Sequence, residues 1–207
     1  MGLDYEFKYY NDEVRFIVGT DEAGRGPLAG PVVAAAVILP SDYHNDLIDD
    51  SKKLTDSKRR ALFEEITKIA VAYGVGIVDA TEIDQINIYQ AAKLAMTKAI
   101  GNMKHKYDLI ITDAMPLNTM EAPVDPVIKG DAKALCVAAA SIIAKVTRDD
   151  IMIELDKSYP QYGFKNHKGY GTREHLDAIE VYGPINGIHR FTFEPVLKRD
   201  KKQLTLF

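Results

Sequence analysis

The sequence predicts a layered α/β domain, a mixed central sheet flanked by helices, carrying a small C-terminal helical appendage. Three observations predict it. Two apolar runs near the N-terminus, residues 14–20 and 31–39, flank a glycine-rich turn and read as a hairpin-like pair of strands. Beyond them, helical periodicity alternates with short apolar runs, as when helices pack on a sheet. Near Pro160 that alternation stops.

The first strand is expected to end at the acidic pair Asp21-Glu22, and Gly24, Gly26, Pro27 and Gly30 then form a turn. Residues 31–39 (PVVAAAVIL) are continuously apolar, the mark of a buried strand. Asp56 or Ser57 caps a helix expected to reach residue 73, with Leu62, Ile66, Ile69 and Tyr73 along one side. Residues 74–78 read as a strand. Thr81 is expected to cap one long helix, with Glu82 and Asp84 in the first turn, where negative charge is favourable. Ile83, Ile86, Ala91, Leu94, Ala95 and Ala99 mark its buried side. Residues 108–112 and 124–128 read as strands, and residues 134–158 as a third helix whose small, branched start suits close packing on a sheet. Residues 163–171 read as a basic, glycine-rich loop, residues 172–182 as a short helix, and residues 183–195 as irregular. The expected division is a core over residues 1–158, an appendage over 159–197 and a basic tail over 198–207.

Hydrophobic content of 46% and charged content of 27% are those of a soluble globular protein. Residues 1–12 lack the apolar core of an export signal, and no apolar run is long enough to span a bilayer. A single cysteine, Cys136, excludes an internal disulfide and reads as a core residue. Together these features predict a cytoplasmic protein without membrane association, and nothing suggests a coiled coil or an obligate dimer, so a monomer is expected. The net charge of −4 argues against bulk electrostatic coating of nucleic acid but leaves room for a local basic groove.

The chemistry is concentrated in acidic residues. Asp21 and Glu22 follow one strand run, Asp113 ends another, and Asp131 precedes the third helix. Gathered carboxylates repel one another unless divalent cations sit between them. Such a cluster points to a metal-dependent enzyme acting on phosphates, because two cations can activate water and neutralise a leaving oxygen. The ligands on offer are oxygens, which suit Mg²⁺ or Mn²⁺. The five histidines are scattered without ligand spacing, which speaks against zinc. Gly24 and Gly26 allow backbone amides to approach a ligand closely.

The run DEAGRGPLAGPVVAAAV resembles the signature of the ribonuclease HII family, the type 2 ribonucleases H. Asp50-Ser51-Lys52-Lys53-Leu54, Asp113-Ala114, Gly130-Asp131 with AAASIIAKVTRD, and His167-Lys168-Gly169-Tyr170-Gly171-Thr172 match in order. The resemblance implies a ribonuclease H-like fold and a catalytic, metal-binding set of Asp21, Glu22, Asp113 and Asp131, with two Mn²⁺ or Mg²⁺ ions. It implies cleavage of the RNA strand of RNA–DNA hybrids and on the 5′ side of single ribonucleotides in duplex DNA. It places the backbone of Gly24, Arg25 and Gly26 against the ribose 2′-OH, Tyr170 on the following sugar, and Lys52 and Lys53 on phosphates. One departure is Ala114, where many relatives carry glycine; it leaves the aspartate in place but alters the local turn.

Asp149 rivals Asp131 as the fourth ligand, and is better read as the partner of Arg148 or another basic residue. Gln203-Leu204-Thr205-Leu206-Phe207 resembles the short bacterial sliding-clamp binding motif, so Gln203, Leu204, Leu206 and Phe207 are candidate clamp contacts; the alternative is packing back onto the domain. Ribonuclease HIII is set aside because only about twenty residues precede Asp21 and the turn reads Gly-Arg-Gly. A non-catalytic binding module and a related DNA nuclease remain as rival functions.

Overall fold

A computed structural model describes residues 3–48, 51 and 54–200. Five strands form one mixed sheet: β1 (Ile17–Ala23), β2 (Val32–Ile38), β3 (Ala72–Val78), β4 (Leu109–Asp113) and β5 (Val124–Val127), in the order β3-β2-β1-β4-β5. β1 runs antiparallel to β2 and parallel to β4, and β4 runs parallel to β5. β5 is an edge strand, which is where a residue such as Pro126 is tolerated.

Alternation along the strands feeds two cores. Ile17, Ala35, Val37, Leu109 and Ile111 pack with α4 (Leu135–Ser158) and with Leu62 and Ile66 of α1 (Asp56–Ile69). Val18, Ala34, Ala36, Ile38 and Ile110 pack on the opposite face with α3 (Ile88–Asn102). The small residues that open α4 bring it against the sheet: a Cβ built on Gly19 of β1 would stand 2.1 Å from the backbone carbon of Cys136. Cys136 is a buried core residue, as expected.

Ala134, at the head of α4, has no side-chain acceptor. Glu6, from a 3₁₀ turn at Tyr5–Tyr9, supplies one from across the chain by accepting from the amides of Leu135 (2.9 Å) and Cys136 (2.7 Å). Burial pushes the Glu6 carboxyl above its usual range, against the pull of those amides.

Several expected boundaries are corrected. β1 extends to Ala23, so Asp21 and Glu22 lie within the strand rather than beyond its end. α1 stops at Ile69, and Tyr73 belongs to β3, where a β-branched and aromatic stretch outweighs the helical spacing. The long helix expected after Thr81 is two helices: α2 (Ala80–Ile86), capped by Asp79, and α3, capped by Asn87 at φ 67°. Asn87 accepts from the amides of Tyr89 and Gln90, and its left-handed backbone breaks the run. The loop at 163–171 contains α5 (Phe164–His167). α6 (Arg173–Tyr182) and α7 (Glu194–Leu197) follow. Among the described residues, no helix is long and apolar enough to cross a membrane.

The segment after Pro160 folds back onto the turn that follows β1. Leu28 N–H donates to Gly169 O (2.8 Å), Gly30 N–H to Ile188 O (2.8 Å) and Arg190 N–H to Leu28 O (2.9 Å). Leu28, Met152, Phe164, Ile179 and Val196 fill a small separate core beneath it.

Candidate active site

Parallel register places the first two carboxylates. β1 and β4 pair from Ile17 with Leu109 through to Thr20 with Thr112, so Asp21 and Asp113 stand one step further along adjacent strands, on the face covered by α4. Asp131 sits in a 3₁₀ turn, Gly130–Ala132, fastened to the end of β4 where Gly130 N–H donates to Asp113 Oδ1 (2.8 Å). Glu22 follows Asp21 at the strand edge and accepts from Arg25 Nη1 (3.2 Å). The four residues are contributed by three elements that meet at one end of the sheet.

Their electrostatics show that they feel one another. Burial pushes the Asp21 carboxyl well above the usual range, and the charges of Glu22, Asp113 and Asp131 push it the same way. Burial raises Glu22 to about 6, against the stabilising Arg25 guanidinium. Glu22 Oε2 is buried without a hydrogen-bond partner. Among the described residues, no three His, Cys, Asp or Glu side chains form a ready-made metal site, so the carboxylates are a charge cluster rather than a closed cage. The donor set still fits a hard divalent cation: it is made of oxygens, it is buried, its charges repel, and one oxygen is orphaned.

The cluster opens into a cleft of about 360 Å³ lined also by Gly24, Arg25, Gly26, Ser51, Ser141, Lys145, Arg148 and Tyr170. Tyr170 is half exposed and faces the turn: a Cβ built on Gly26 would lie 3.5 Å from its ring. The structure therefore brings together Asp21, Glu22, Asp113, Gly24, Arg25, Gly26 and Tyr170 in one cleft, with Asp131 close enough to act on Asp21. Lys52, Lys53, Gln203, Leu204, Leu206 and Phe207 lie outside the described residues. Asp149 pairs with Lys145 (2.6 Å), as a partner of a basic residue, and does not line the cleft. Burial lowers the Lys145 ammonium, against that pairing.

Ala114 takes a left-handed backbone (φ 54°), a conformation that glycine adopts with less strain. Its N–H donates to Thr112 O (3.1 Å) and Val127 O (3.0 Å), holding the turn under Asp113.

Sequence reasoning missed two features near the cleft. The histidines are scattered along the chain, yet three meet in space. His189 Nε2 lies 3.1 Å from His175 Nε2, and the His167 ring stacks on His175 at 4.6 Å. Their other nitrogens are engaged with backbone: Ile185 N–H donates to His189 Nδ1, Gly169 N–H donates to His167 Nδ1, and His175 Nδ1 pairs with Tyr170 O (2.9 Å). The second feature is a pair of buried arginines, Arg148 and Arg190. Arg148 stands within the run AAASIIAKVTRD, but nothing local to the sequence shows that its guanidinium is buried.

The ribonuclease HII family profile matches residues 18–196. Ribonuclease HII of Geobacillus thermodenitrificans is 56% identical over 194 residues, covering 94% of this chain and 74% of that one. The crystal structure of ribonuclease H2 from Pyrococcus horikoshii OT3 superposes with a TM-score of 0.77 at 30% identity, covering 90% of this chain and 98% of that one. A chain of the PCNA–ribonuclease HII complex from Archaeoglobus fulgidus gives a TM-score of 0.71 at 28% identity, covering 86% and 95%. The mixed sheet with its flanking helices is thus a ribonuclease H-like fold, and the chain belongs to the ribonuclease HII family of metal-dependent endoribonucleases.

Proposed function

We propose that the chain hydrolyses the RNA strand of RNA–DNA hybrids and cuts on the 5′ side of single ribonucleotides embedded in duplex DNA, leaving 3′-OH and 5′-phosphate ends. The observation that carries this reading is the meeting of a repelling carboxylate cluster with the Gly24–Gly26 turn and Tyr170 in a single cleft. Asp21, Glu22, Asp113 and Asp131 would hold two Mg²⁺ or Mn²⁺ ions, which when bound activate water and neutralise charge on the phosphate. Gly130 N–H fixes the Asp113 carboxylate, and the register of β1 with β4 fixes Asp21 beside it. The turn amides and Arg25 meet the ribonucleotide. Tyr170 packs on the next sugar, where only a nucleotide preceded by a 2′-OH is held productively.

Lys52 and Lys53 are proposed phosphate contacts, and residues 159–197 an appendage carrying Tyr170 to the cleft. A sliding clamp is the proposed partner of the tail, through Gln203, Leu204, Leu206 and Phe207. The tail motif and the clamp-bound relative from Archaeoglobus fulgidus support this.

Duplex DNA carrying one ribonucleotide, incubated with Mg²⁺ or Mn²⁺ beside an all-DNA control, tests the main reading. One cut on the 5′ side of the ribonucleotide, absent from the control, is expected. Cutting of long hybrids alone would remove the single-ribonucleotide activity. Tight binding without metal-dependent turnover would favour a non-catalytic module.

A further inference from the structure

Among the described residues, Arg148 and Arg190 are the two largest fully buried side chains, 1% and 0% exposed. A guanidinium out of water needs an acceptor for each donor, and carboxylates are its usual partners. Here the acceptors are backbone carbonyls. Arg148 donates to Pro31 O (2.9 Å), Ala29 O (3.0 Å) and Lys168 O (2.9 Å). Arg190 donates to Gly24 O (2.6 Å), Arg25 O (3.1 Å) and Gly30 O (2.9 and 3.0 Å). The nearby acids are otherwise engaged. Asp149 pairs with Lys145, and Asp84 accepts from the amides of Phe191 and Thr192 just beyond Arg190.

The consequence follows from the planarity of the peptide. In a trans unit the C=O and the following N–H point in opposite directions, and none of the described peptide bonds is cis. With the carbonyls of Gly24 and Arg25 turned toward Arg190, the N–H groups of Arg25 and Gly26 are turned away from it. Among the described residues, neither amide has an acceptor. A cation bonded to the carbonyl end also polarises the unit and strengthens its N–H as a donor. Arg148 meanwhile ties the far side of the same turn to Lys168, two residues before Tyr170.

We propose that Arg190 and Arg148 are positioning residues that orient the peptide units of the Gly24–Gly26 turn, so that unpaired amides face the ribose 2′-OH while Tyr170 is held in register with them. This rests on the reading above that this turn meets the 2′-OH.

The test compares wild type, Arg190→Lys and Asp84→Asn in single-turnover cleavage with Mn²⁺. Two duplexes are used, one with a single ribonucleotide and one with 2′-fluoro at the same position. Lysine keeps the charge and loses the fork. Asp84→Asn loosens the segment that carries Arg190 and leaves the guanidinium in place. Arg190→Lys is expected to lower the 2′-OH to 2′-fluoro rate ratio about tenfold or more, with KM for the duplex little changed. Asp84→Asn should move the ratio the same way by less. A folded Arg190→Lys, judged by circular dichroism and a cooperative melt, with an unchanged ratio would overturn the inference. Should that variant not fold, an unchanged ratio in Asp84→Asn overturns it instead. A wild type that does not distinguish the two duplexes refutes the proposed function itself, an outcome visible before any variant is compared.

Discussion

Replacing Glu22 by glutamine should make the metal-free protein more stable while sharply lowering its activity. The Glu22 side chain is only 9% exposed, and its carboxyl is raised from 4.5 to about 6, first by burial and then by Asp113, with Arg25 opposing. A shift of about 1.5 at about 1.4 kcal/mol per unit is about 2 kcal/mol, and it already includes the favourable pairing with Arg25. The sign is set by the raised value. Below 4.5 the group is protonated both folded and unfolded and has no effect. As pH rises through 6, the folded state must carry a buried charge that the unfolded chain carries in water. Stability is therefore lost over that window, and the loss is complete at pH 7.5. Glutamine keeps the shape and removes the charge, so Glu22→Gln in EDTA at pH 7.5 should melt about 4–8 °C above wild type for a chain of this size. The gain should largely vanish at pH 4. Mn²⁺ should raise the melting temperature of wild type more than that of the variant, and cleavage should fall about 100-fold or more. A variant that melts at or below wild type in EDTA at pH 7.5, or keeps its full gain at pH 4, would refute the account of Glu22 as a strained, metal-ready carboxylate.

Gly24→Ala should lose both stability and turnover. Gly24 has φ +100°, and a Cβ there would stand 2.1 Å from Arg148 Nε and 2.8 Å from Pro31 O; a lower melting temperature and a drop of about tenfold or more in kcat/KM are expected. Ala114→Gly should stabilise by about 0.5–1 kcal/mol in urea unfolding, because relief of a left-handed alanine at φ 54° outweighs the added freedom of the unfolded glycine. His175 and His189 are lowered from 6.5 to about 4 and about 3, chiefly by burial, so their contribution is present above pH 6.5 and lost as pH falls toward 4. Urea midpoints measured from pH 7.5 to 5 should fall less steeply for His189→Gln than for wild type, and parallel slopes would count against the buried neutral pair.

The site was more legible than the fold's punctuation. Strand runs ending in acids at Asp21-Glu22 and Asp113, with a Gly-Arg-Gly turn after the first, point to a carboxylate cluster. The register that pairs Thr20 with Thr112 then brings Asp21 and Asp113 together without further information. Two departures have different causes, one a local cap and the other a distant strand partner. The break at Asn87 depends on a left-handed residue capping α3, and the spacing of Ile83, Ile86 and Ala91 conceals it. Tyr73 fits the helical spacing after Ile69, yet it pairs with Val37 in the sheet. The histidine cluster and the buried arginines could not be seen locally, because His175 and His189 are 14 residues apart and Arg190 reaches a turn 160 residues away.

Two unfavourable features of this molecule lie close together, at the end of β1 and the turn that follows it. Burial and neighbouring carboxylates push Asp21 and Glu22 upward at the sheet end, and two buried guanidiniums lie behind the turn that follows β1. Had those guanidiniums paired with Asp21 or Glu22, both charges would have been quenched and the carboxylates lost as metal ligands. Arg148 and Arg190 donate to backbone carbonyls instead, so these hydrogen bonds occupy no carboxylate oxygen. Arg25 pairs with Glu22 from a side chain that is 49% exposed. An ion pair with one partner so accessible contributes about 1 kcal/mol at most, and an arriving cation can displace it. The arrangement keeps Glu22 Oε2 unsatisfied and the turn amides free of partners among the described residues, both at the cleft where a metal ion and a ribose would meet.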